Sequence, residues 1–140
     1  MREILFRAKR KNWQELPKEE WWVEGYPVKY QPCASKEEWI YGIVPIYASA
    51  LYIIEIDPET LCQYIYMNDK NSKRIWENDI VKHEVSDTIG TVKWYQEDYV
   101  GWCVDDIVID EQQFTDEMWN ECEVIGNIFD HPELLKGETE

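Results

Sequence analysis

Apolar and polar positions alternate in short runs along most of the chain, and a period of two predicts strands rather than helices. Glu3 to Arg7 sets Ile4 and Phe6 against Leu5 and Arg7, which predicts a strand leading into a charged loop at Lys9 to Asn12. The next stretch carries Pro17, the pair Trp21 and Trp22, Gly25, Pro27 and Pro32. Prolines at that density argue against a long helix and predict an irregular region. Ser35 is placed to cap a short helical turn over Lys36 to Trp39. Trp39 to Tyr47 predicts a strand bent near Gly42 and Pro45, and Leu51 to Ile56 a second strand ended by Asp57 and Pro58.

The short polar side chains of Asn68, Asp69, Asn71 and Ser72 mark a chain reversal. Beyond it, Asp79 to Val85, Ile89 to Tyr95 and Tyr99 to Val104 form three β-like runs with turns at Ser86 to Thr88 and Gln96 to Asp98, an antiparallel meander. Gly90, Val92 and Trp94 share one face of the second run, and Val100, Trp102 and Val104 one face of the third. Ile107 to Ile109 is a further short run. Thr115 to Asn120 predicts a short helix capped by Thr115, and Glu123 to Phe129 a strand bent or bulged at Gly126. Pro132 opens a closing turn to Leu135, and Gly137 to Glu140 is expected to fray. Many short strands with small turns predict a mainly β chain, a compact barrel or a strongly curved sheet.

Two segments about forty residues apart sharpen that picture. DPETLCQYIYMNDKNSKRIWENDIV at Asp57 to Val81 and EVIGNIFDHPELL at Glu123 to Leu135, with the opening REILFRAKRK at Arg2 to Lys11, resemble the YopX family, small proteins carried mainly by phages and prophages. The resemblance implies an SH3-like barrel in the C-terminal part after a less regular, β-containing N-terminal region. The boundary is drawn at residue 60, giving residues 1–60 and 61–140, with strands able to cross it. No biochemical activity comes with the family. Its DKNGKKIFEGDIV turn stands here as DKNSKRIWENDIV at Asp69 to Val81, with Ser72 and Asn78 where glycines are expected, and its TGL-like turn is altered to Ile65, Tyr66 and Met67. Asn tolerates left-handed backbone angles, whereas Ser72 implies strain or a different turn.

Composition adds a partner argument. The chain of 140 residues is large enough for a core, and eight Trp and nine Tyr supply large buried areas with polar tips. The net charge of -15 is unevenly spread. Arg2, Arg7, Lys9, Arg10 and Lys11 are opposed only by Glu3 at the start, while Glu97 to Glu133 holds twelve acids and no Lys or Arg. That balance disfavours direct nucleic-acid binding and permits basic partners, including the basic end of another copy. No apolar run is long enough to cross a bilayer and the start lacks a secretion signal, so a bacterial cytosol is expected. Cys33, Cys62, Cys103 and Cys122 are scattered without a CxxC pair, which points to free thiols rather than a zinc site.

Asp69, Asn71, Asn78, Asp79, Gly126 and Pro132 read as turn formers, the two aspartates accepting bonds from backbone amides rather than acting as metal ligands or bases. Asp105, Asp106, Asp110 and Glu111 lack the Gly and closing Glu of a calcium loop and read as a solvated edge open to interaction. His83 and His131 have no nucleophile at useful spacing, and no glycine-rich phosphate cradle is present. Trp13, Trp21, Trp22, Tyr26 and Tyr30 admit two readings, a recognition surface or a second core layer. No catalytic residue, cofactor or metal is assigned. The expected function is that of a non-enzymatic accessory protein working by protein contact and self-association. The alternatives are an acidic mimic of nucleic acid that regulates a host enzyme, and a metal-dependent hydrolase.

Overall fold

The computed structural model describes residues 4–31, 39–47, 52–96, 101–105 and 116–136. Two compact units divide the chain, Met1–Gln63 and Tyr64–Glu140. Both are mainly β and antiparallel.

In the first unit β1 (Phe6–Lys9), β2 (Trp22–Tyr30), β3 (Ile40–Pro45) and β4 (Ile54–Glu55) form a meander in which each strand pairs with the next. An isolated bridge between Arg10 and Ile56 then brings the chain after β4 back to the end of β1. The Lys11 amide donates to the Glu55 carbonyl at 3.0 Å and the Asp57 amide to the Lys9 carbonyl at 2.9 Å. Further along the same edge, Cys62 and Gln63 at the start of β5 (Cys62–Asn68) pair with Arg7 and Phe6. Between these contacts Thr60 Oγ accepts the Lys9 amide at 2.8 Å and donates to the Asp57 carbonyl, so the 3-10 turn Pro58–Thr60 patches the ladder. With β1 bonded on both edges the sheet curls around Ala8, Val23, Ile43, Ile54 and Ile56. Burying these side chains favours folding by about 25 cal/mol per Å² of apolar surface removed from water.

Two expectations for this unit are corrected. The irregular region gives way at Trp22 to a nine-residue strand, β2. Pro27 is tolerated because β1 covers only Trp22 to Gly25, leaving Tyr26 to Tyr30 paired on the β3 side alone, and a residue without N–H fits such an open edge. The charged loop expected at Lys9 to Asn12 begins later, because Lys9 is the last residue of β1 and is only 2% exposed.

In the second unit the remainder of β5 pairs with β6 (Arg74–Trp76) through Tyr64 with Trp76 and Asn68 with Arg74. Five residues on one strand thus face three on the other. A second sheet runs in the order β10-β7-β8-β9, built from β7 (Asp79–His83), β8 (Thr88–Tyr95), β9 (Gly101–Val104) and β10 (Cys122–Asn127). The predicted meander is therefore present. α1 (Asp116–Asn120) precedes β10 and α2 (Glu133–Lys136) follows it. Ile65, Ile75, Val81, Val92, Val104, Trp119 and Cys122 make the core. β10 and β9 end the sheet on opposite sides and do not pair, so the SH3-like barrel implied by the resemblance is not closed among the described residues.

Register explains two details. In β8, Gly90 and Val92 face the core as expected, but Trp94 lies beyond it and is 47% exposed, its ring held edge-on against Trp102, its partner in β9, at 5.1 Å. In β10 the register shifts between Val124 and Gly126, the bulge predicted there. The capped turn at Lys36, Leu51, residues 97 and 98 of the turn at Gln96 to Asp98, the run at Ile107 to Ile109, the Thr115 cap, Cys33 and the last four residues lie outside the described residues.

Candidate interaction surface

Asp69 follows β5 and is 4% exposed. Its Oδ1 accepts the amides of Asn71 at 2.8 Å and Lys73 at 2.9 Å, closing the turn between β5 and β6, while Oδ2 accepts the Val124 amide of β10 at 2.9 Å. One carboxylate thus joins two segments 55 residues apart, and the Lys70 amide adds a bond to the Cys122 carbonyl at 2.9 Å. Asp79 is equally buried and accepts the Trp76 amide at 2.8 Å across the turn from β6 to β7. Asn78 within that turn accepts Lys93 Nζ at 3.0 Å, and its carbonyl accepts the Ile128 amide at 3.1 Å. Gly126 is needed because a Cβ there would lie 2.7 Å from His131 Nδ1. Asn127 Oδ1 accepts the amides of Phe129 and Asp130, and the Pro132 carbonyl accepts the Leu135 amide at 3.2 Å to start α2. Every one of these groups serves a turn. The structure brings Asp69, Asn78 and the Gly126 to Pro132 loop into one hydrogen-bonded frame.

His83 is 2% exposed, with Nε2 2.9 Å from Glu121 Oε1 and Nδ1 2.7 Å from Ser86 Oγ. The Ser86 amide also donates to Nδ1 at 3.3 Å, which assigns the proton to Nε2, where Glu121 accepts it. The order of groups is that of a nucleophile, base and orienter. Because the ring accepts the backbone of the same turn, its work is to close the hairpin between β7 and β8. Sequence reading missed this cluster, since Glu121 lies 38 residues away. Among the described residues no group of three or more His, Cys, Asp or Glu converges to hold a metal ion. Cys122 is buried, and desolvation, with Glu121 and Asp69 nearby, pushes its thiol up to about 12. Cys103 is half-exposed, and its thiol is raised by burial first and by Asp105 second.

The aromatic residues separate into two sets. Trp13, in a 3-10 turn after β1, and Trp21, at the entry to β2, meet edge-to-face with centroids 4.9 Å apart. They enclose the Lys9 ammonium, which sits 3.7 Å from the Trp13 ring centre, 4.4 Å from Trp21 and 5.7 Å from Trp22. Arg7 stacks on Trp22 at 4.6 Å. The first basic residues are therefore held within their own unit, and Lys11 is paired with Glu55 at 2.8 Å.

Tyr26 and Tyr30 belong to the second set. Cross-strand pairs put Tyr26 beside Val44, Val28 beside Gly42 and Tyr30 beside Ile40, all on the outer face of the curl because Gly25, Ile43 and Ile54 of the alternate set face the core. Ile53 covers Gly42, where no side chain competes for the space. Tyr26 is 48% exposed, Tyr30 37% and Ile46 45%. An antiparallel sheet with one buried face normally turns polar residues outward, and here the outer face is aromatic and aliphatic across two strands. Asp105 is exposed at the end of β9, and Asp106, Asp110 and Glu111 lie outside the described residues.

The sequence profile of the family described as "YopX protein" matches residues 6–136. The chain belongs to the YopX family. Its two characteristic segments are the ones that Asp69 and Asn78 bind together, so the YopX signature is a folding signature here. The crystal structure of protein EF1440 from Enterococcus faecalis is similar, with 20% identity and a TM-score of 0.55 over 96% of this chain and 99% of that one, a likeness of fold. No curated protein matches.

Proposed function

We propose that this YopX chain is a non-enzymatic phage or prophage accessory protein that acts by protein contact and associates with itself through the outer face of β2 and β3. The observation that carries the reading is the outer-face ladder of Tyr26, Val28, Tyr30, Ile40, Val44 and Ile46, of which Tyr26, Tyr30 and Ile46 are exposed. Aromatic residues concentrate at the centres of interfaces and supply much of their energy. Charge argues that the occupant is a second copy meeting the same face. The first unit carries eight Lys and Arg against ten Asp and Glu, the second six against nineteen. Two copies repel least where their near-neutral units meet, and an antiparallel ladder is self-complementary about a two-fold axis.

The double variant Tyr26→Glu with Tyr30→Glu tests the reading by gel filtration. Later elution than wild type with an unchanged circular dichroism spectrum supports it, and unchanged elution sinks it. A bacterial cytosol is the proposed location; among the described residues no helix is long and apolar enough to cross a membrane.

The excess of acid in the second unit favours one second reading, a regulator that imitates a phosphate backbone and binds a basic host enzyme. Capture from a host lysate at low salt tests it. Failure to retain any basic nuclease or polymerase removes it.

A further inference from the structure

A cleft of about 520 Å³ opens in the first unit where the curl closes, between the residues after β1, the 3-10 turn Trp13–Glu15 and β4. Small-molecule sites are typically clefts of roughly 300 to 1,000 Å³. Arg10 lines it, with Nε donating to the Glu20 carbonyl at 2.9 Å, a bond that fixes the guanidinium plane. Its two terminal nitrogens make no hydrogen bond among the described residues. A guanidinium held in this way is prepared for bidentate pairing with a carboxylate.

The other charges of the lining decide what kind of carboxylate. Lys11 and Glu55 engage each other at 2.8 Å and offer a neutral wall. Glu15 lines the cleft and makes no ion pair or side-chain hydrogen bond among the described residues. The groups left for a ligand are thus one cation, one anion and the neutral polar side chains of Asn12 and Gln14. A plain anion would meet Glu15 and the field of a chain with net charge -15, and a plain cation would meet Arg10. A molecule that carries both charges satisfies both groups and feels no net long-range force.

We infer that this cleft binds a small zwitterion of the amino-acid or short-peptide class, with its carboxylate on Arg10 and its cationic nitrogen on Glu15. The inference is independent of self-association, which uses the outer face of β2 and β3. The full chain is titrated with glycine, ε-aminocaproate and L-leucine, and separately with succinate and putrescine at matched ionic strength, following backbone amide shifts by NMR. The expected result is saturable movement of amides between residues 10 and 15 with at least one zwitterion and none with the two controls. Arg10→Ala and Glu15→Gln each weaken that binding by at least about tenfold. Arg10 also bonds the Glu20 carbonyl, so Glu15→Gln, at an exposed site, is the variant free of folding effects. The inference is overturned if no zwitterion moves these amides at about 10 mM, if succinate or putrescine binds as tightly, or if Glu15→Gln leaves zwitterion binding unchanged.

Discussion

Tyr66, Ser72 and Asn78, three positions where the family pattern carries glycine, all have left-handed backbone angles, with φ of 71°, 64° and 70°. The sequence therefore exposes the strain, and the structure explains its location. Tyr66 lies inside the bulge where β5 and β6 change register, and the other two lie in the turns flanking β6. Ser72 is exposed and its side chain makes no bond among the described residues, so Ser72→Gly should stabilise the protein by about 1 kcal/mol in urea unfolding. Tyr66→Gly should instead destabilise, because its ring packs on Tyr64 at 5.2 Å. The Asp69 clamp was legible as turn chemistry, but not its bond to Val124, because no spacing rule predicts a contact across 55 residues. Asp69→Ala strands three backbone donors and should cost about 3 to 5 kcal/mol, read from the same urea midpoint. Thiol chemistry provides a pH test. Among Cys62, Cys103 and Cys122, only Cys103 should be alkylated in the native state near pH 8, with its rate still rising above the ordinary thiol range since its pKa is raised. Cys122, raised to about 12, should react only after unfolding.

At the scale of elements, β1 depends on residues that pattern reading assigned to a loop. Lys9 continues the strand because its ammonium is enclosed by Trp13 and Trp21, and this contact is visible only once the 3-10 turns Trp13–Glu15 and Lys18–Glu20 fold over the sheet. Cation–π attraction of this kind reaches about 2 kcal/mol when desolvated. Lys9→Ala should therefore cost at least that much, and Lys9→Met less, since the thioether refills the space against the rings. The measurement is thermal unfolding of both variants beside wild type. β2 was hidden because Gly25 and Pro27 punctuate it, and its pairing with two different neighbours in succession is what accommodates them. The β7 to β9 meander was legible because its alternation is clean and its turns are polar. In the second unit the hydrogen bond from Lys70 to Glu84, with Glu123 and Asp69 near, raises the Lys70 pKa above 10.5. A raised folded-state value means this contribution is complete below 10.5 and fades only as pH climbs past the folded value, so acid loosens the pair only by protonating the carboxylates. The pair is solvent-exposed and its contribution is small.

At the scale of the whole molecule, the residues that identify the chain differ from those left apolar and exposed. The hydrogen-bonded frame within the family signature lies in the second unit, while the apolar ladder lies in the first. Sequence reading found the charge split and the aromatic group. It could not sort the tryptophans, which enclose the unit's own cations, from the tyrosines, which remain outside, because that division follows from the register of β2 on β1 and β3. The central claim is that two copies meet through this apolar face while their acidic units repel. Light scattering on wild-type protein after gel filtration, at low and at moderate salt, tests it most directly. The predicted mass is about twice the 16.9 kDa of one chain, with the dimer holding or tightening as salt screens the repulsion. The mass of a single chain at both salt concentrations would contradict it.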